Sequence, residues 1–228
     1  MNNKYSNFLT ILLILIIIAI VGIIAFLGFK FYQTSVNKDN SEKFVDTYVD
    51  QTQNNNTSII PPTSTDDDVS FEGVEDNTNQ SNNSSASNND NRERYNGYLV
   101  SGTIEIPETN LKCPILAQSE YSASALETSV VELHGPGLNQ VGVTTISGHN
   151  YRNGTFFSNN KKLSVGDKIF ITDETGKRLT YKIYDKFEAE ENYADYMVKD
   201  TQGAIEIALS TCTDDSKARI IILARADV

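Results

Sequence analysis

AIEIALSTCTDDSKARIIILARA, residues 204–226, sets two apolar runs rich in Ile, Leu and Ala on either side of the polar turn TDDSKA. Runs of this length, split by turn residues, read as the two antiparallel strands of a hairpin. Such a hairpin carries Arg219, at the start of the second strand, back beside Cys212, at the end of the first. Working outward, YLVSGTIEIP (98–107), VGVTTISG (141–148), KIFIT (168–172) and LTYKIY (179–184) repeat the β-type pattern between Gly, Pro, Asp and Asn turns. Helical pattern is confined to SASALET (122–128), TFFSNNKKL (155–163) and YADYMV (193–198). The reading is an all-β domain over 95–228 with short helices, closed or nearly closed into a barrel, because closure removes exposed strand edges.

Upstream the composition changes twice. After a short tail, 1–7, the run from Phe8 to Phe29 has 22 residues without a charge, about 33 Å of helix and long enough to span a bilayer. A cleaved signal peptide has an apolar stretch of only about 7–15 residues, so 8–30 is expected to be an uncleaved signal anchor. Lys4 on one side and Lys30 and Lys38 on the other leave little positive-inside bias. A single-pass membrane protein with its carboxy-terminal domain outside the cell is therefore an expectation, with orientation open on charge alone. Residues 31–94 are rich in Asn, Asp and Ser, and 33–94 hold 12 acids against 4 bases. A disordered linker is expected there, since little apolar surface offsets the ordering entropy. The formal net charge of −11 gives no basis for gripping a phosphate backbone, and nucleic-acid binding is not expected.

Few side chains can carry chemistry. The chain has 2 Cys and 2 His, too few thiolates for a disulfide framework or a four-thiolate zinc site. Cys212 closes an alternating run before a polar turn, where a side chain can leave the core; a buried, inert thiol is the competing reading. His149 leaves its strand through Gly148, whereas His134 sits in the Gly/Pro turn ELHGPG. A thiol and an imidazole, with ordinary pKa values near ~8.5 and ~6.5, are the pair that covalent acyl transfer needs. A guanidinium with planar donors suits the negative oxygen of the tetrahedral intermediate. Arg219 fills that role and Arg225, on the same strand, competes for it. Thr211 and Thr213 flank the thiol and could line a substrate groove. Glu105, Glu108, Asp195 and Asp200 read as solvated loop charges, and no metal or cofactor is assigned.

Taken together these residues resemble the sortases, membrane-anchored cysteine transpeptidases of Gram-positive bacteria. LSTC (209–212) with Arg219 beyond a short turn is similar to the family's Cys–Arg signature. ISGHN (146–150) resembles its strand-end His motif, and SGTIEIPETNLKCPIL (101–116) resembles its opening Ile-Pro motif. One departure is Ala208, where the family usually carries Thr. The resemblance implies an eight-stranded β-barrel, Cys212 as nucleophile, His149 as general acid/base and Arg219 as oxyanion and substrate stabiliser. It also implies the substrates: proteins bearing a Leu-Pro-x-Thr-Gly-like (LPXTG-like) sorting signal, and an amine acceptor from the peptidoglycan precursor or another source. No Asp-Pro-aromatic lid motif precedes the barrel, and the segment 186–203 is short for the long helix of class B. A class D-like or housekeeping-like subclass fits best. Two alternatives stay open: a cysteine protease in which water resolves the thioacyl intermediate, and a non-catalytic stalked binding barrel with inert or disulfide-linked cysteines.

Overall fold

The structure is a computed structural model that describes residues 3–57 and 92–228. A long helix, α1 (Asn3–Thr57), precedes the strands β1 (Arg94–Tyr95), β2 (Tyr98–Ile106), β3 (Leu111–Leu116), β4 (Val130–His134) and β5 (Gly142–Ser147). They continue as β6 (Lys168–Asp173), β7 (Arg178–Ala189), β8 (Ile205–Cys212) and β9 (Arg219–Ala226), and a six-residue helix, α2 (Ala123–Thr128), joins β3 to β4.

The expected closure is present. The order β2-β3-β4-β5-β8-β9-β7-β6 returns to its start through a β2–β6 pairing, making a closed eight-stranded barrel with β1 as a short flap on β2. Neighbours run antiparallel except β3–β4 and β5–β8, which are parallel. Alternation along each strand sends one set of side chains inward, and Ile104, Ile146, Ile171, Ile207 and Ile222 meet there around Phe157 and Tyr181. Each such burial is worth about 1.5–3 kcal/mol, and these side chains are the main source of the barrel's stability.

Besides the two-residue β1, two strands of the barrel are not evident from sequence pattern alone. β3 is interrupted in sequence by Lys112 and Pro114, and β4 is only five residues long, so neither shows a sustained alternation. His134, expected inside a turn, is the last residue of β4 and precedes the turn. β7 runs on to Ala189, beyond the expected LTYKIY, because its second half places charged residues at exposed positions.

The larger difference lies upstream. Helix α1 contains the apolar run Phe8–Phe29, exposed along its length and long enough to cross a membrane, but it continues to Thr57. The first part of the segment expected to be disordered, 31–57, is therefore helical; 58–91 lies outside the described residues. Ser41, Val45 and Tyr48 form a buried stripe at helical spacing, with Val45 at 0% and Tyr48 at 3% exposure. Tyr48 and Phe44 pack with Tyr95, Val100, Leu116 and Val131 of the barrel. Outside this stripe, Lys38–Glu42 and Asp39–Lys43 are paired one turn apart, and Asp46 pairs with Lys112 of β3. Gly176 also lies close against the helix: a Cβ there would lie 2.8 Å from the Thr52 carbonyl oxygen, and its φ of +80° also favours glycine.

On the outer face of β8 the Glu206 carboxylate is 1% exposed and is held by Lys199 Nζ at 2.6 Å, Arg225 Nη2 at 2.7 Å and the Tyr184 hydroxyl at 2.8 Å. Burial alone would raise its pKa, but the hydrogen bonds from Lys199, Tyr184 and Arg225 outweigh it and hold the carboxyl below its ordinary value. A depressed folded-state pKa contributes stability above the unfolded value, and that contribution is lost as pH falls. Glu206→Gln should therefore lower stability by about 2 kcal/mol at neutral pH. In urea unfolding of the detergent-solubilised chain, the gap to wild type should close as pH falls below ~4.3. A gap independent of pH would mean that the carboxylate's charge is not what matters.

Candidate active site

Pairing fixes the site before any side chain is considered. β5 and β8 run parallel with Ser147 opposite Ser210, and the Gly148 amide donates to the Ser210 carbonyl at 3.1 Å. His149 and Cys212 each lie two residues beyond the last matched pair, so the two strands deliver them to the same rim of the barrel. Gly148 is required at this exit, since a Cβ would come within 2.8 Å of both Phe157 and Val130. Cys212 is also the last partner of Arg219 in the β8–β9 ladder.

The guanidinium closes onto the thiol. Arg219 Nη1 donates to Cys212 Sγ at 2.6 Å and Nη2 to Glu191 Oε1 at 2.6 Å, the latter from the loop after β7. Among the described residues no hydrogen bond links the His149 ring to the sulfur; its ring neighbour is Tyr151, centroid to centroid 4.9 Å. Nucleophile–base contacts often tighten only with substrate bound. Cys212, His149 and Arg219 are all partly exposed.

Asn150, next to His149, ties the histidine loop to the thiol. Its Nδ2 donates to the Cys212 carbonyl at 3.0 Å and to Asp214 Oδ1 at 2.9 Å. Hydrogen bonds from Lys161 and then Asn150 hold the Asp214 carboxyl below its ordinary pKa. Neither Asn150 nor Asp214 was singled out in the sequence, because their partners lie 62 and 64 residues away.

Beside Cys212 a second apolar cluster lies on the outside of the barrel. Val143, Ala208, Ile221 and Leu223 form its floor, and Tyr196 and Met197 from the β7–β8 loop cover it. Burial pushes the Tyr196 hydroxyl up from its ordinary value, with Ser210 and Arg219 opposing. The segment between β7 and β8 holds only a three-residue helical turn, Asp195–Met197.

The remaining sequence candidates separate cleanly. Arg225 is committed to Glu206 through Nε at 2.9 Å, which leaves Arg219 as the guanidinium at the thiol. His134 is exposed on β4. Neither threonine expected in a groove is open to one: Thr211 is buried on the face shared with Leu209, and Thr213 pins the β8–β9 turn by donating to Asp215 Oδ1 at 2.6 Å. Parity explains Thr211, which precedes an outward Cys212 within β8 and must point the other way, whereas Thr213 lies beyond the strand in the turn. Glu105 pairs with Arg178 at 2.8 Å, and among the described residues no group of three His, Cys, Asp or Glu side chains could hold a metal ion. Both cysteines are free.

A family model described as the sortase domain matches residues 104–227. A Clostridium perfringens sortase D5 transpeptidase is similar at 26% identity, with a TM-score of 0.52 over 60% of this chain and 83% of that one. Sortase C-1 from Actinomyces oris shares the fold at 22% identity and a TM-score of 0.51, covering 56% of this chain and 73% of its own. Clostridium perfringens sortase C, solved with the C-terminal cell wall sorting motif, does so at 24% identity and a TM-score of 0.50, covering 57% and 71%. No protein of curated function matches the chain.

The two thiols differ in what surrounds them. Cys113 is 2% exposed, and burial pushes its thiol up to about 12; Cys212 is open to solvent in part. A thiol reagent added to the folded chain at pH 7.5 should give one adduct by intact-mass spectrometry, on Cys212, and a second only in denaturant. Native labelling of Cys113 at a comparable rate would overturn this ordering.

Proposed function

The chain belongs to the sortase family, and on that premise we propose that it is a membrane-anchored cysteine transpeptidase that attaches proteins bearing an LPXTG-like sorting signal to an amine acceptor. The observation that carries the reading is the Arg219 guanidinium in contact with the Cys212 sulfur on the rim that also bears His149. The Cys212 thiolate attacks the carbonyl carbon of the scissile Thr–Gly bond. Arg219, whose Nη1 contacts the sulfur, turns its planar donors to the oxygen as it gains negative charge and stabilises the tetrahedral intermediate. The intermediate collapses as the C–N bond breaks and His149 gives its proton to the leaving amine. A thioacyl enzyme remains. The acceptor amine then loses a proton to neutral His149 while its nitrogen bonds to the carbonyl carbon. The C–S bond breaks and the sulfur returns as thiolate.

The donor peptide has a path along the open groove lined by Phe187, Ala189 and Tyr193, which reaches Arg219 through the Ala189–Arg219 pair and lies beside the buried apolar cluster under Tyr196. The Phe8–Phe29 helix fits a single-pass anchor, with the barrel on the outer side of the membrane where sorting signals and wall precursors meet. The likeness to a class D enzyme favours a class D-like or housekeeping-like subclass, and the short β7–β8 connection agrees with it.

The test uses the full chain in detergent with a sorting-signal peptide, with and without an amine. Amine-dependent product supports transfer, whereas identical product in both arms makes the enzyme a protease. Cys212→Ala should abolish the thioacyl adduct seen by mass spectrometry while leaving the fold intact. Arg219→Lys keeps the charge but loses the planar fork, and kcat should fall about 10²-fold. Near-wild-type turnover would remove Arg219 from the mechanism.

A further inference from the structure

Between the barrel and helix α1 lies a cavity of about 310 Å³, within the size range of ligand sites. Five segments build it: α1 with Asn37 and Ser41, the β1–β2 turn with Tyr95 and Asn96, the start of β3, the end of α2 with Glu127, and the loop Tyr151–Phe156 that follows His149. The strand order puts it on the far side of His149 from the apolar floor, toward β3 and β4 instead of β8 and β9. Tyr151 forms the partition, with one of its ring neighbours being His149 at 4.9 Å and the other Phe156 at 6.0 Å.

Charge in the cavity is uneven. Its two lysines are engaged, Lys38 with Glu42 and Lys112 with Asp46. Glu127 is exposed at the cavity wall, has no ion-pair partner among the described residues, and lines the same cavity as Tyr151. The rest of the polar lining is neutral, mostly Asn, Ser and Thr. A single unpaired carboxylate among neutral hydrogen-bonding groups suits a cation on a polar stem better than an anion or an apolar ligand.

We propose that this cavity is the docking site of the acyl acceptor, a primary ammonium on a peptide stem, with Glu127 as the group that attracts it. The proposal rests on the transpeptidase reading above. With the donor in the groove on the Arg219 side, the acceptor approaches from the other side of His149: the docked ammonium gives one proton to solvent, and the neutral amine then gives the second to His149 as its nitrogen bonds to the carbonyl carbon. The cavity opens there. Asn37 and Ser41 follow Phe29 by about 12–18 Å of helix rise, so the site stands at a fixed short height above the apolar span. An acceptor carried at the membrane surface can reach it.

Full-length enzyme in detergent, with saturating sorting-signal peptide, is assayed with three amines: hydroxylamine, triglycine and acetyl-Ala-Lys-Ala-amide. Hydroxylamine is small enough to need no site, and the two peptides distinguish an α-amine from a side-chain amine. For whichever peptide the wild type uses, Glu127→Gln should raise its KM about tenfold, and Asn37→Trp, which obstructs the cavity from an exposed helix position, should do the same. Hydrolysis and hydroxylamine transfer should stay as in wild type. Unchanged KM in both variants, or cleavage by the wild type without transfer to either peptide, overturns the acceptor site and leaves donor cleavage standing. Failure of the wild type to cleave the donor at all would instead remove the transpeptidase reading and this proposal with it.

Discussion

The parallel pairing of β5 with β8 is the constraint on which the site depends. It joins stretches about sixty residues apart and matches their ends, so that a loop carrying His149 and a turn carrying Cys212 leave the barrel at one rim. A slip of one residue in that ladder would turn one of the two side chains to the opposite face, because strand parity has period two. Gly148 lets the chain turn out under Phe157, and Asn150 fixes the loop to the Cys212 carbonyl once it has turned. The hairpin with β9 then supplies the cation from the neighbouring strand at no cost in long-range loop closure.

Parity also sets the two cysteines apart. Cys113 and Cys212 both sit in strands of the same barrel, yet Cys113 points into the core with Ile104 and Ile115 while Cys212 points out beside Arg219. The interior withholds the solvent and charges that a thiolate needs, and the rim provides both. Of the flanking threonines, Thr211 follows the same rule and turns inward while Thr213 is consumed by the turn, which is why adjacency to the nucleophile in sequence was a poor guide to adjacency to substrate.

What the sequence made legible was what is local. The 204–226 hairpin, the return of Arg219 to Cys212 and the all-β composition needed only alternation and turn residues. The eight-strand count came from a family resemblance, since no local pattern reports which strands lie side by side. β3 and β4 were illegible because Pro114, Lys112 and shortness erase their periodicity. Glu191 and Asp214 were illegible because a loop carboxylate looks the same whether it meets a guanidinium or water. The docking part of α1 was hidden by averaging: net acidity over 33–94 describes the exposed faces, whereas Ser41, Val45 and Tyr48 occupy one narrow stripe whose partner surface lies beyond residue 94.

That stripe changes the physical picture of the enzyme. A barrel on a long polar tether would sample all orientations and heights above the membrane. A barrel packed on the helix that continues from the apolar span presents one face at one height. Burial of Val45 and Tyr48 contributes about 3–6 kcal/mol, and undocking the helix must overcome it. The helix therefore acts as a strut through Tyr48, and the rim that bears Cys212 keeps a defined relation to the helix that carries the apolar run.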